Sequence, residues 1–248
     1  MLKRLLIPCV LCLTAMSAKA QSTAAPLVPE PPKQWAHESE VALVTSTGNS
    51  ENESASAKQK TAYSFDNNIV TNSARYLQSK TSGTETSRNW DVSLRYERTL
   101  SELWGTFIAH LIESDPYSGF IQRNSTDLGA KYTIVKNDVR TWLAEAGGRY
   151  AETYTVTGEH DYANLGRVYS EYSQALNETV SFKIWAEYLP NFNESEAYLA
   201  NGEASMTSIL SKVFSLKLSY LAKYQNLPAV AGAKTTDTVF TTSLVAKF

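Results

Sequence analysis

Three histidines, His37, His110 and His160, hold the chain's capacity for general-base or metal chemistry. Hydrolysis at a lipid surface would need a serine beside one of them and a third polar group to orient the imidazole, all where lipid reaches. His110 is the only one well inside a stretch that reads as a strand. No segment around it supplies a serine motif, so it reads as an interface or lumen residue. Glu159-His160-Asp161 offers three adjacent ligands, which need a special turn to face one ion, and no second histidine stands at metal-site spacing. Glu113-Ser114-Asp115 lacks the repeated Asp/Asn spacing of a calcium loop. Neither a Gly-rich phosphate cradle nor a G-x-S-x-G elbow occurs. The expectation is a non-enzymatic protein with no metal or cofactor.

One constellation of charge remains. Asp91, Arg95, Lys131, Glu145, Arg149, Arg167, Glu171, Lys183 and Glu187 stand on alternate positions of apolar stretches, with signs that alternate every two to four residues. Such groups either pair across strands and fill an interior, or line a narrow aqueous path for ions or small polar solutes. The filled interior is the expectation adopted.

The elements that must carry these residues are strands. Trp90, Val92, Leu94 and Tyr96 oppose Asp91, Ser93, Arg95 and Glu97; Val180, Phe182, Ile184, Ala186 and Tyr188 oppose Ser181, Lys183 and Glu187. A period of two means side chains pointing to opposite faces of a pleated strand. In 69–78 and 104–113 the two faces compete, Ile108 and Ile112 against Phe107, Ala109 and Leu111, and no register is assigned. Five tight turns are expected at Asp66–Asn68, Leu100–Glu102, Lys136–Asp138, Leu176–Glu178 and Leu210–Lys212, all rich in turn-forming Asn, Asp or Ser. Six longer connections are expected at Ser46–Ser54, Ser79–Arg88, Glu113–Ser125, Tyr154–Asn164, Pro190–Glu196 and Tyr224–Thr236. The result is about twelve long strands, joined alternately by short turns and longer loops.

A soluble sandwich or barrel would also alternate, but strands of about ten residues suit a tilted bilayer crossing. Tyr and Trp at the ends of apolar rows suit its two interfaces. The expected fold is therefore all-β: a closed, antiparallel, up-and-down transmembrane barrel over 35–248. The final strand, ending on Phe248, is expected to pair with the first and to serve as an assembly signal.

Residues 1–20 read as a cleavable export signal, with Lys3 and Arg4, an apolar run and Ala18-Lys19-Ala20. Cys9 and Cys12 fall inside it, so the exported chain is expected to hold no disulfide or thiolate site. Residues 21–34 read as a Pro-rich periplasmic linker. Without 1–20, a balance of 23 basic against 25 acidic residues becomes 20 against 25, because Lys3, Arg4 and Lys19 leave and no acid does. That argues against a nucleic-acid partner.

Trp35, Glu38 and Val41-Ala42-Leu43, running into Thr45–Ser50, open a pattern continued by Leu94–Arg98, Ser118-Gly119-Phe120 and Lys234–Phe248. This pattern resembles the salt-induced outer-membrane protein family, a domain of unknown function. The resemblance implies a Gram-negative outer-membrane barrel in contact with lipid and assembled through its last strand, and no mechanism. The alternatives are a lipid hydrolase in that membrane and a soluble secreted binding barrel.

Overall fold

The computed structural model describes residues 34–46, 51–228 and 234–248. The expected export signal, all of the linker but Gln34, and the Thr47–Ser50 motif lie outside the described residues. Twelve strands form: β1 (Trp35–Ser46), β2 (Asn52–Phe65), β3 (Asn68–Thr81), β4 (Thr84–Thr99), β5 (Trp104–Asp115), β6 (Phe120–Lys136), β7 (Arg140–Thr155), β8 (His160–Ala175), β9 (Val180–Leu189), β10 (Leu199–Ile209), β11 (Phe214–Gln225) and β12 (Thr236–Lys247). Each pairs antiparallel with its neighbours in sequence, and β12 returns to β1, so the sheet closes. Closure satisfies every strand edge, which a hydrocarbon environment demands because no water is there to do so.

The alternation predicted from the sequence sorts the side chains. Outward-facing Leu94, Leu128 and Val168 are 56%, 66% and 55% exposed. Register settles the ambiguous stretches. Tyr96 stands opposite Ile108, Leu94 opposite His110 and Val92 opposite Ile112, so that row faces outward. Phe107 faces inward and is 2% exposed. In β3, Val70, Ala74 and Tyr76 share the outer row with Tyr96, Val92 and Trp90, leaving Arg75 and Leu77 inside.

All five expected tight turns form, in 66–67, 100–103, 137–139, 176–179 and 210–213. At the other end the connections that lie wholly within the described residues are 82–83, 116–119, 156–159 and 190–198. Most are shorter than expected. The Ser79–Arg88 loop in particular is a two-residue turn, with Ser82 and Gly83 at φ 50° and 76°. Two central residues at positive φ match the twist of paired strands. Ser, Thr and Gly in that segment resemble a loop by composition, but the strands simply continue to the turn. Strands of up to 17 residues in β6 exceed the 9–11 or so a bilayer crossing needs, so that side of the barrel rises beyond the apolar belt.

Glycines set how closely β5, β6 and β7 approach. Phe107, Gly129, Gly147 and Arg167 stand side by side on β5 to β8. A Cβ on Gly129 would lie 2.7 Å from the Phe107 ring, and one on Gly147 would lie 2.2 Å from the Leu128 carbonyl oxygen. Gly148, next in sequence but facing out, would meet nothing nearer than 3.8 Å. Gly147→Ala should therefore strip the membrane fraction of folded, heat-modifiable protein, whereas Gly148→Ala should leave it unchanged. Electrophoresis of unboiled samples measures both.

Candidate functional site

The interior is organised around Glu145, a β7 carboxylate with a side chain only 5% exposed. Arg95, on β4, donates to both of its oxygens at 2.6 and 3.2 Å. Arg167, on β8, donates to Oε2 at 2.7 Å. From these two guanidinium groups the lattice spreads. Arg95 also meets Glu97 at 2.9 Å, and Lys131 closes on the same carboxylate. Arg167 also meets Glu187 at 2.7 Å, and Arg149 holds Asp127 through two bonds of 2.6 and 2.7 Å. Asn201 donates to Glu187 at 3.2 Å. Paired, bidentate geometry of this kind is what lets charges stay in an interior of low dielectric.

Phe107 is the apolar floor of the lattice. The Arg95 guanidinium carbon lies 3.9 Å from its ring centre and that of Arg167 lies 5.4 Å away, within cation–π range. The ring fits there because Gly129 has no side chain to block it. Tyr169 extends the array, donating to Glu171 at 2.7 Å, while Lys183 meets Glu171 at 2.8 Å. A second cluster joins across the β1–β12 closure. Glu40 accepts from Ser243 at 2.8 Å and pairs with Lys58 and Lys217, each at 3.2 Å.

All nine charged residues singled out in the sequence face inward. Eight belong to the arrays around Glu145 and Glu171, while Asp91 pairs apart with Arg75 at 2.6 Å. Residues not singled out complete the lattice: Glu40, Phe107, Asp127 and Lys217. Asp127 and Lys217 alternate with apolar neighbours and were legible as inward. Glu40 and Phe107 were not, because neither strand pattern shows which face of the sheet is wet.

The histidines fall elsewhere. His110 faces outward and meets Thr126 Oγ1 at 3.0 Å. His160 stands beside Glu152 at 2.8 Å and stacks on Tyr154, with 4.2 Å between ring centres. Among the described residues no three His, Cys, Asp or Glu side chains gather as a metal site would require. His37 is a histidine with a serine beside it. It lies within β1, faces outward, and its Nε2 is 2.9 Å from Ser39 Oγ while its Nδ1 is 2.7 Å from Thr61 Oγ1. The signal was present as His-x-Ser, since residues two apart on a strand share a face.

These features define an antiparallel barrel of the outer-membrane type, with an apolar outer wall and an ionic interior. The chain belongs to the family described as protein of unknown function DUF481, whose model matches residues 39–248. Its fold is similar to that of the NanC porin, at 10% identity, with 86% of this chain and 97% of that one covered and a TM-score of 0.50. It is also similar to the COG4313 outer membrane channel from Pseudomonas putida F1, at 10% identity, 88% and 99% coverage and a TM-score of 0.50. At that identity the likeness is one of fold. No functionally curated protein matches the sequence significantly.

Removing one partner of a buried ion pair leaves the other charge uncompensated, at a cost of about 3–5 kcal/mol. Glu145→Gln leaves two guanidinium groups in that state. It should lower the unfolding free energy in urea by about 3–5 kcal/mol, while Glu102→Gln, in an exposed turn, should change it by less than about 0.5 kcal/mol.

Proposed function

We propose that the chain is an integral outer-membrane barrel of a Gram-negative envelope, with a lumen filled so far that only ions or small polar solutes pass. The observation that carries this reading is the Arg95–Glu145–Arg167 bridge. Its ends stand on β4 and β8, a third of the way round the twelve-strand wall, and the side chains project over the inner face of β5 and β6 into the lumen. Twelve strands lie between eight-stranded barrels filled by side chains and sixteen-stranded open porins, so the contents of the lumen decide its bore.

The outer wall supports the membrane reading over a soluble binding barrel. Val41, Leu43, Leu94, Leu128 and Phe240 are between 52% and 80% exposed, and their faces join into a belt far larger than soluble monomers expose. Aromatic rings bound it. Trp35 and Tyr63 lie 4.7 Å apart near the short-turn end, as do Trp104 and Tyr132. Tyr188, Tyr198 and Tyr224 stand together at the other end. Short turns mark the periplasmic side. Export by a cleaved leader belongs to the same proposal, as does recognition of β12 by the assembly machinery through Phe248. In support of the latter, Phe248 and His37 exchange backbone hydrogen bonds of 3.0 and 3.2 Å at the closure.

Planar-bilayer recording tests the lumen. The native protein should give small current steps or none, and Arg95→Ala with Phe107→Ala should give larger ones by opening the centre of the lattice. Porin-sized steps from the native protein would sink the reading. Assembly is tested separately: deleting Phe248 should deplete folded protein from the outer membrane, whereas deleting 21–33 should not. Equal amounts of both variants would refute a role for Phe248.

A further inference from the structure

The outer wall carries a hydrogen-bonded series that the lumen reading does not use, running from β1 through β2 to β3 and β4. The direction of each proton follows from its far end. The Ser93 carbonyl can only accept, so Asn72 meets it with its NH2 group, at 3.2 Å. Asn72 Oδ1 is then left to accept from Gln59 Nε2, at 2.6 Å. Gln59 therefore turns Oε1 toward Thr61, whose hydroxyl donates to it at 3.1 Å. A hydroxyl has one proton, so Thr61 meets His37 Nδ1 as an acceptor, at 2.7 Å. Nδ1 carries the imidazole proton, and Nε2 offers its lone pair to the Ser39 hydroxyl at 2.9 Å. That is the tautomer a general base needs to take a proton from serine.

From this arrangement we infer that Ser39 and His37 form an esterase site on the lipid-facing wall, acting on carboxylic esters of glycerophospholipids. Its depth matches such a bond. Ser39 and His37 are half-buried and face outward, in line with Trp35 below and with Val41, 52% exposed, above. His37 lies about 7 Å along the strand from Trp35. Its ring is 6.2 Å from that of Phe248, and the stacked Tyr63 and Phe65 rings flank Trp35. An aromatic girdle lies where headgroups give way to acyl chains, the level of the ester carbonyls.

The steps balance with lipid and water alone. Ser39 Oγ attacks the ester carbonyl carbon while His37 Nε2 takes its proton. The bond to the glycerol oxygen breaks, and His37 returns that proton to the leaving alcohol. Water then attacks the acyl-Ser39, giving a proton to His37 and hydroxide to the acyl carbon. Release of the fatty acid restores the serine proton. Thr61, Gln59 and Asn72 are positioning residues, which hold the tautomer through the series. With a neutral hydroxyl where a carboxylate would stabilise the imidazolium, turnover is slow.

The test uses the full-length protein in phosphatidylglycerol and phosphatidylethanolamine vesicles, with fatty-acid release and labelling by a serine-directed fluorophosphonate as readouts. Release should vanish with Ser39→Ala, the probe should map to Ser39, and His110→Ala should change neither. Thr61→Val should lower kcat with little change in KM, and Thr61→Ser, which keeps the acceptor, should restore it. Every variant is compared at equal amounts of heat-modifiable, inserted protein. Absence of both release and Ser39 labelling in inserted native protein would overturn the inference, as would release that survives Ser39→Ala. Either result leaves the lumen reading standing, because conductance is measured independently.

Discussion

A single carboxylate, Glu145, holds two guanidinium groups that arrive from opposite directions around the barrel. The interior depends on that arrangement. An arginine in a low-dielectric space needs its charge matched and its donors occupied, and one carboxylate cannot do so for two. Glu97 accepts from the Nε–H of Arg95, while Glu187 accepts from that of Arg167 and Asp127 stands 3.4 Å from the same nitrogen. Arg149 then balances those two acids. Each added charge needs the next, so the lattice extends until it meets solvent near Lys183, whose side chain is 40% exposed.

The lattice fits because the wall is shaped for it. Glycine at 129 leaves the room on the inner face that the Phe107 ring occupies, and glycine at 147 avoids the Leu128 carbonyl. The buried ring lies against the Arg95 and Arg167 guanidinium groups. A wider barrel with the same residues would leave the cations too far apart to share Glu145. Twelve strands with this lining give a barrel that carries an ionic lattice along its inner face from β4 to β9.

The other face of the sheet is the outer wall. Most of that wall is aliphatic or aromatic. The hydrogen-bonded run from Ser39 to Asn72 departs from this pattern, and its polar groups satisfy one another in sequence before ending on a backbone carbonyl. Such self-satisfaction lets polar groups sit against lipid at low cost. The same ordering fixes the imidazole tautomer of His37.

Much of this was legible in the chain itself. Alternation of apolar and polar residues determined that β4, β6, β7, β9 and β11 are strands with one apolar and one polar face, and the Asn- and Ser-rich segments marked five turns, because both are local properties. The nine inward charges followed from the same period. Connection lengths such as 82–83 were not legible, since Ser, Thr and Gly suit both a turn and a loop. Which charges meet was decided only in three dimensions. Arg95 and Glu145 are 50 residues apart in the chain and two strands, β5 and β6, lie between theirs in the sheet. Likewise His37, Thr61 and Asn72 share one outer patch only because β1, β2 and β3 lie in a particular register. A slip of one residue would turn Thr61 to the lumen and leave His37 without its acceptor. Register depends on turn geometry and on closure of the whole sheet, which no single segment encodes.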